Sequence, residues 1–164
     1  MPKSHNNLNQ HSDEFTFSTV VYVTDQYACE TLIAEGRRIA DNTATNLYVV
    51  NVSSGNTAER PIDLNALEYL YQTSRKHHAV MNVFYETDIL AILLKTANDY
   101  NASHIVIGAP RQTTTVLTDF LSANEKCTFY MVHPNGKSME VTVNDLMKPR
   151  KKEKATSTKR ANYV

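Results

Sequence analysis

Residues 88–112 read DILAILLKTANDYNASHIVIGAPRQ, and this stretch decides the fold. Apolar residues recur at helical spacing from Ile89 to Ala97, which predicts a helix with Thr87 as its N-cap. The run HIVIG at 104–108 is β-branched and apolar, which predicts a strand that ends in glycine. A helix that leads into a buried strand is part of a βαβ unit, from which parallel sheets are built.

The same alternation extends over most of the chain. Further strands are predicted at 15–24, 47–52, 80–85 and 129–133, and further helices at 27–45, 61–77 and 115–123. A weak alternation at 138–143 allows one more short strand. The pattern predicts an α/β fold, a parallel sheet with helices on both faces.

Composition and charge divide the chain into one domain and two tails. The 164 residues have a formal net charge of zero, but the segment from Lys148 to Arg160 holds seven basic residues and one acid. We expect a flexible polar tail at 1–14, a domain at 15–146 and a basic, disordered tail at 147–164. The basic tail lacks the interleaved aromatic residues that stack on bases, so contact with nucleic acid or an anionic membrane is not favoured.

The sequence also bears on location and metals. No apolar run approaches the ~20 residues of a membrane helix, and the first residues lack the apolar core of a secretory signal. We therefore expect no membrane span and a cytoplasmic protein. The six histidines and two cysteines form no HxxxH, HExxH or CxxC spacing, so no metal site is predicted.

Ligands of open parallel sheets bind beyond the carboxyl ends of the strands, where the strand order reverses. The candidate residues at those ends are Thr24, Asp25 and Gln26 after the first strand, Val52 at the end of the second, and Gly108 and Arg111 after the fourth. Asp25 either accepts hydrogen bonds from a ribose or an adenine amine, or caps the following helix. The segment at 108–115 is either an anion-binding loop, with Arg111 pairing with phosphate, or an ordinary polar loop.

The succession VVYVTD, LYVVNV and DILAILLKTANDYNASHIVIGAPRQ resembles the universal stress protein family. It is also similar to the stress-protein-like domain of potassium-sensing histidine kinases. The resemblance covers 17–133 and implies a five-stranded parallel sheet in the order 3-2-1-4-5. It also implies a homodimer that forms through the fifth strand, from Phe129 to His133.

ATP-binding members of that family carry a glycine pattern: Gly, two residues, Gly, nine residues, then Gly followed by Ser or Thr. Laid on this chain, the pattern falls on Gly108, Arg111, Leu121 and Ser122, so that two of the three glycines are replaced. The family aspartate after the first strand matches Asp25. The resemblance thus implies an adenine and ribose pocket whose triphosphate part is modified or lost, with ATP, AMP or a cyclic dinucleotide as candidate ligands.

Three functions follow, in order of preference. The first is a cytoplasmic regulatory or binding protein of the universal-stress type that binds an adenine nucleotide in a modified site. The second is a dimeric interaction module that binds no nucleotide and docks on a kinase or a transporter. The third, a nucleotide-processing enzyme, is least favoured, because Asp25 and Asp119 have no evident catalytic partner and no GxSxG motif is present.

Overall fold

The computed structural model describes residues 15–24, 27–53, 63–110 and 112–147. Eleven elements alternate along these residues: β1 (Ser18–Val23), α1 (Cys29–Thr43), β2 (Asn46–Ser53), α2 (Leu64–Lys76), β3 (Val80–Tyr85), α3 (Ile89–Asp99), β4 (Ala102–Gly108), α4 (Thr115–Ala123), β5 (Thr128–Val132), β6 (Ser138–Val141) and α5 (Val143–Met147). The predicted α/β fold is confirmed. The tails at 1–14 and 148–164 lie outside the described residues.

The strands form one sheet in the order β3-β2-β1-β4-β5-β6. The first five strands pair in parallel, in the predicted order. The sheet has six strands rather than five, because the chain turns back after β5 and β6 pairs with it antiparallel, Phe129 opposite Val141 and Val132 opposite Ser138. The outer edge of β5 is therefore covered by β6. The weak alternation of 138–143 was the only sequence signal for this strand.

Each face of the sheet has its own core. Ile33 of α1 and Leu70 of α2 pack with Val21 and Val106 on one face. On the other face, α3 and α4 pack on a cluster that includes Phe120. At the centre of the sheet, neighbouring residues of β1 and β4 are 0% exposed on both faces, which explains why these strands read as continuous apolar runs.

The helix starts differ from the sequence-based expectations in detail. Thr87 was the predicted N-cap of α3, but the structure places Asp88 there, with its carboxylate accepting a hydrogen bond from the Ala91 amide at 3.1 Å. Asp63 caps α2 in the same way. Both residue types are good caps, and only the backbone geometry decides between neighbours. No helix among the described residues is long and apolar enough to cross a membrane.

Candidate functional site

A pocket of about 570 Å³ opens at the carboxyl edge of the sheet. It lies where β1 and β4 end side by side, which is the point where the strand order reverses. Leu32 of α1 lines it from one face of the sheet, and Leu93 of α3 and Leu117 of α4 line it from the other. The pocket therefore reaches across the sheet edge from one helical layer to the other.

The structure brings three of the predicted site residues to this pocket. Thr24, Val52 and Gly108 all line it, at the ends of β1, β2 and β4. Ser122 is exposed on α4 and is not among the described residues of the lining. Asp25, Gln26 and Arg111 lie outside the described residues, so their predicted roles stay predictions.

Leu121 does not occupy the phosphate position that the glycine pattern implied. The seventh residue of α4, it is 1% exposed and packs in the core cluster of its face. The pattern assumed a long loop after Gly108, whereas only residues 109–114 separate β4 from α4. Helix α4 thus takes up much of the chain that the pattern assigns to a glycine-rich loop.

Gly108 lines the pocket, but its backbone conformation does not require glycine. A Cβ added there would meet the nearest Leu32 methyl at 3.6 Å, an ordinary van der Waals contact. The residue after it is fixed by β5, since the Ala109 amide donates to the Val132 carbonyl at 2.8 Å. Farther along, the Thr114 hydroxyl accepts from the Leu117 amide at 3.2 Å and caps α4.

The apolar floor was not predicted from the sequence. Tyr22 and Phe120 line the pocket from below, with ring centroids 5.3 Å apart in an edge-to-face arrangement. The Tyr22 hydroxyl bonds the Thr96 hydroxyl at 2.8 Å and the Leu93 carbonyl at 3.2 Å. Burial raises the pKa of Tyr22 far above its ordinary value, so the phenol stays neutral. Its bonds tie it to α3, which indicates a structural role.

The mouth on the α1 side carries an acid and an aromatic ring. Glu30 accepts hydrogen bonds from Lys76 at 2.9 Å and from Tyr69 at 3.0 Å. The Lys76 ammonium is the main cause that lowers the pKa of Glu30, so this carboxylate is charged at neutral pH. Tyr27 is 57% exposed and donates its hydroxyl to Asp63 at 3.1 Å, which ties the start of α1 to the cap of α2.

The turn between β5 and β6 lines the remaining side of the pocket. His133 and Pro134 line the pocket. The turn is closed by bonds from the His133 amide to the Lys137 carbonyl at 2.9 Å and from the Gly136 amide to the His133 carbonyl at 2.8 Å. Gly136 needs its glycine, since its φ is +84°. No group of three or more potential metal-ligating side chains occurs in the part of the chain that the structure describes.

No family model matches the chain, and no curated protein matches it significantly. Among solved structures, it is similar to a universal stress protein from Archaeoglobus fulgidus, with 18% identity and a TM-score of 0.55 over 73% of this chain and 93% of that one. The chain therefore has the fold of the universal stress proteins.

Two of the similar structures are complexes. The universal stress protein from Archaeoglobus fulgidus in complex with dAMP is 19% identical, with a TM-score of 0.51 over 71% of this chain and 96% of that chain. A universal stress protein in complex with cAMP is 16% identical, with a TM-score of 0.51 over 72% and 98%. At such identities the likeness concerns the fold.

Proposed function

We propose that this protein is a regulatory or binding protein of the universal-stress type that binds an adenine nucleotide or nucleoside in the pocket above β1 and β4. The observation that carries the proposal is the position of the pocket, at the reversal of strand order and lined by Thr24, Val52 and Gly108. Two solved structures with this fold are complexes of a universal stress protein, one with dAMP and one with cAMP. An apolar pocket with a few polar groups suits a planar base with a ribose.

Isothermal titration with adenosine, AMP, cyclic AMP, ATP and cyclic di-AMP tests the proposal. We expect heat from at least one adenine ligand, and loss of that heat in Val52→Phe, because the larger side chain takes up space in the pocket that the ligand needs. The matched control is Val83→Phe, a half-buried strand valine outside the pocket lining. If no ligand binds to the folded wild-type protein, or if both variants bind equally well, the proposal is wrong.

The cytoplasmic role in a stress response and the homodimer belong to the same proposal. Self-association through the edge from Phe129 to His133 now has to involve β6, because β6 already pairs with β5 along that edge. We therefore expect two sheets to meet through the open edge of β6, Ser138–Val141. Light scattering at micromolar concentration measures this. The register and the bond from the His133 amide to Lys137 direct the Met139 amide toward β5 and the Glu140 amide to the open edge. Glu140→Pro therefore removes a backbone donor from the open edge and is expected to lower the dimer fraction.

The interaction module without a nucleotide stays the alternative, and the same titration separates the two. The enzyme hypothesis gains nothing from the described residues. Asp119 is exposed on α4 and is not among the described residues that line the pocket, and the one carboxylate in that part of the lining, Glu30, is already paired with Lys76.

A further inference from the structure

The β4–α4 connection limits how much phosphate the pocket can hold. Only residues 109–114 lie between the strand and the helix, and α4 is anchored immediately afterwards by Phe120 and Leu121, each 1% exposed. Lengthening the connection would unwind the first turn of α4, which the Thr114 hydroxyl caps. The chain therefore has no spare backbone here with which to wrap a row of phosphates.

The charges of the pocket lining also favour a ligand with few phosphates. Among the described residues that line the pocket, Glu30 is the one carboxylate and His133 the one side chain that can carry a positive charge. Burying a polyphosphate requires several cations or donors to offset its charge. A single phosphate needs far fewer partners.

His133 lies on the side of the pocket where the β4–α4 connection begins. The bond between the Ala109 amide and the Val132 carbonyl aligns the end of β5 with the start of that connection. His133 follows directly, in a turn fixed by two backbone hydrogen bonds. Its Nε2 lies 3.4 Å from the Met139 sulfur, a weak acceptor that a phosphate oxygen would outcompete.

We propose that the pocket selects an adenine ligand with one phosphate over its triphosphate, and that His133 contacts this phosphate. This inference rests on the proposed function and adds to it the charge class of the ligand and a residue that determines it. An imidazole N–H donates to a phosphate oxygen in either charge state of the ring, and the contact is stronger when the ring is charged.

The test compares adenosine, AMP and ATP by isothermal titration of the wild-type protein, His133→Gln and His104→Gln. In the wild type, we expect AMP to bind at least about tenfold more tightly than ATP, and more tightly than adenosine. In His133→Gln, AMP should bind no more tightly than adenosine binds to the same variant. His104 lies on β4 outside the pocket lining, so its variant should behave as the wild type.

Each other result has a distinct meaning. ATP binding as tightly as AMP overturns the inference while the proposed function stands. The inference also fails if His133→Gln keeps the AMP preference, or if Arg111→Gln removes that preference and His133→Gln does not. If adenosine, AMP and ATP all fail to bind, the proposed function and this inference fall together. Adenosine binding by His133→Gln shows that the variant is folded, and AMP is compared with adenosine within that variant.

Discussion

The two faces of the sheet are packed in different ways, although the same strands supply both. On the face of α1 and α2, the core is aliphatic and the helix comes close, since Gly36 lies directly over Val21. On the face of α3 and α4, aromatic rings fill the space. Phe120 stands edge-to-face with Tyr22 at 5.3 Å and with Phe129 at 5.6 Å.

The difference shows what each face contributes to the pocket. Both faces contribute to the lining, but the close contact of α1 with the middle of β1 lies outside it, whereas the central rings of the other face lie within it. Tyr22 and Phe120 line the pocket, but Gly36 and Val21 do not. We infer that the aromatic face sets the depth of the pocket, and that the aliphatic face holds α1 in a fixed position beside it.

The largest expected effect is on the aromatic face. Phe120→Ala removes a ring that is 1% exposed and in contact with two others, and should lower the free energy of unfolding by about 3–5 kcal/mol. Urea denaturation monitored by circular dichroism measures this. The neighbouring Ser122→Ala, on the exposed side of the same helix, should stay within about 0.5 kcal/mol. A loss below about 1 kcal/mol for Phe120→Ala would contradict the view that this ring anchors α4.

A smaller effect is expected on the aliphatic face. In Gly36→Ala the added Cβ would stand 2.3 Å from a Val21 methyl and 3.1 Å from a Leu47 methyl, so helix and strand must separate. Overpacking lowers the free energy of unfolding by about 1–3 kcal/mol. The higher helix propensity of alanine offsets up to about 1 kcal/mol of this loss. The net loss should be about 1–2 kcal/mol in the same urea experiment.

The matched change for this prediction is Gly108→Ala. Its Cβ would meet Leu32 at an ordinary 3.6 Å, so the free energy of unfolding should change by less than about 0.5 kcal/mol. If Gly36→Ala and Gly108→Ala lower the free energy of unfolding equally, the close approach of α1 to β1 is not what makes Gly36 sensitive to substitution.

The fold was largely predictable because its signals are local. The strand at 80–85 and the helix at 115–123 have the predicted bounds, since a continuous apolar run and a helical period each lie within one segment. Strand β4 begins at Ala102, two residues before the predicted start, because Ala102 and Ser103 carry no strand signal of their own. Pairing with β1, where Ala102 lies opposite Ser18, extends the strand.

The site was predictable only where it follows from topology. Thr24, Val52 and Gly108 line the pocket because the carboxyl ends of parallel strands meet at one edge. Phe120 and His133 were missed, since one lies within a helix and the other in a turn that depends on β6. The glycine pattern placed Leu121 at the phosphates because a spacing rule cannot register that α4 begins at Thr115.

The smallest expected effect concerns pH and His104, a partly buried histidine on the face of α1 and α2. His104 shares the face of Val106, stacks on Tyr130 with ring centroids 6.1 Å apart and is bonded by the Ser103 hydroxyl at 2.8 Å. Burial lowers the pKa of His104 below its ordinary 6.5, and the charge of Glu140 opposes this shift only in part.

Because the folded pKa of His104 is the lower one, the unfolded chain binds the extra proton first as the pH falls through about 6.5. The contribution of His104 to stability is therefore complete above that pH and declines below it, until the folded form is protonated as well. His104→Gln removes this pH-dependent contribution to the free energy of unfolding. Between pH 7.5 and 5.5, its free energy of unfolding should fall less steeply than that of the wild type, although only slightly, since the ring is partly exposed to solvent. Parallel curves for the two proteins would show that burial on this face does not desolvate the ring of His104.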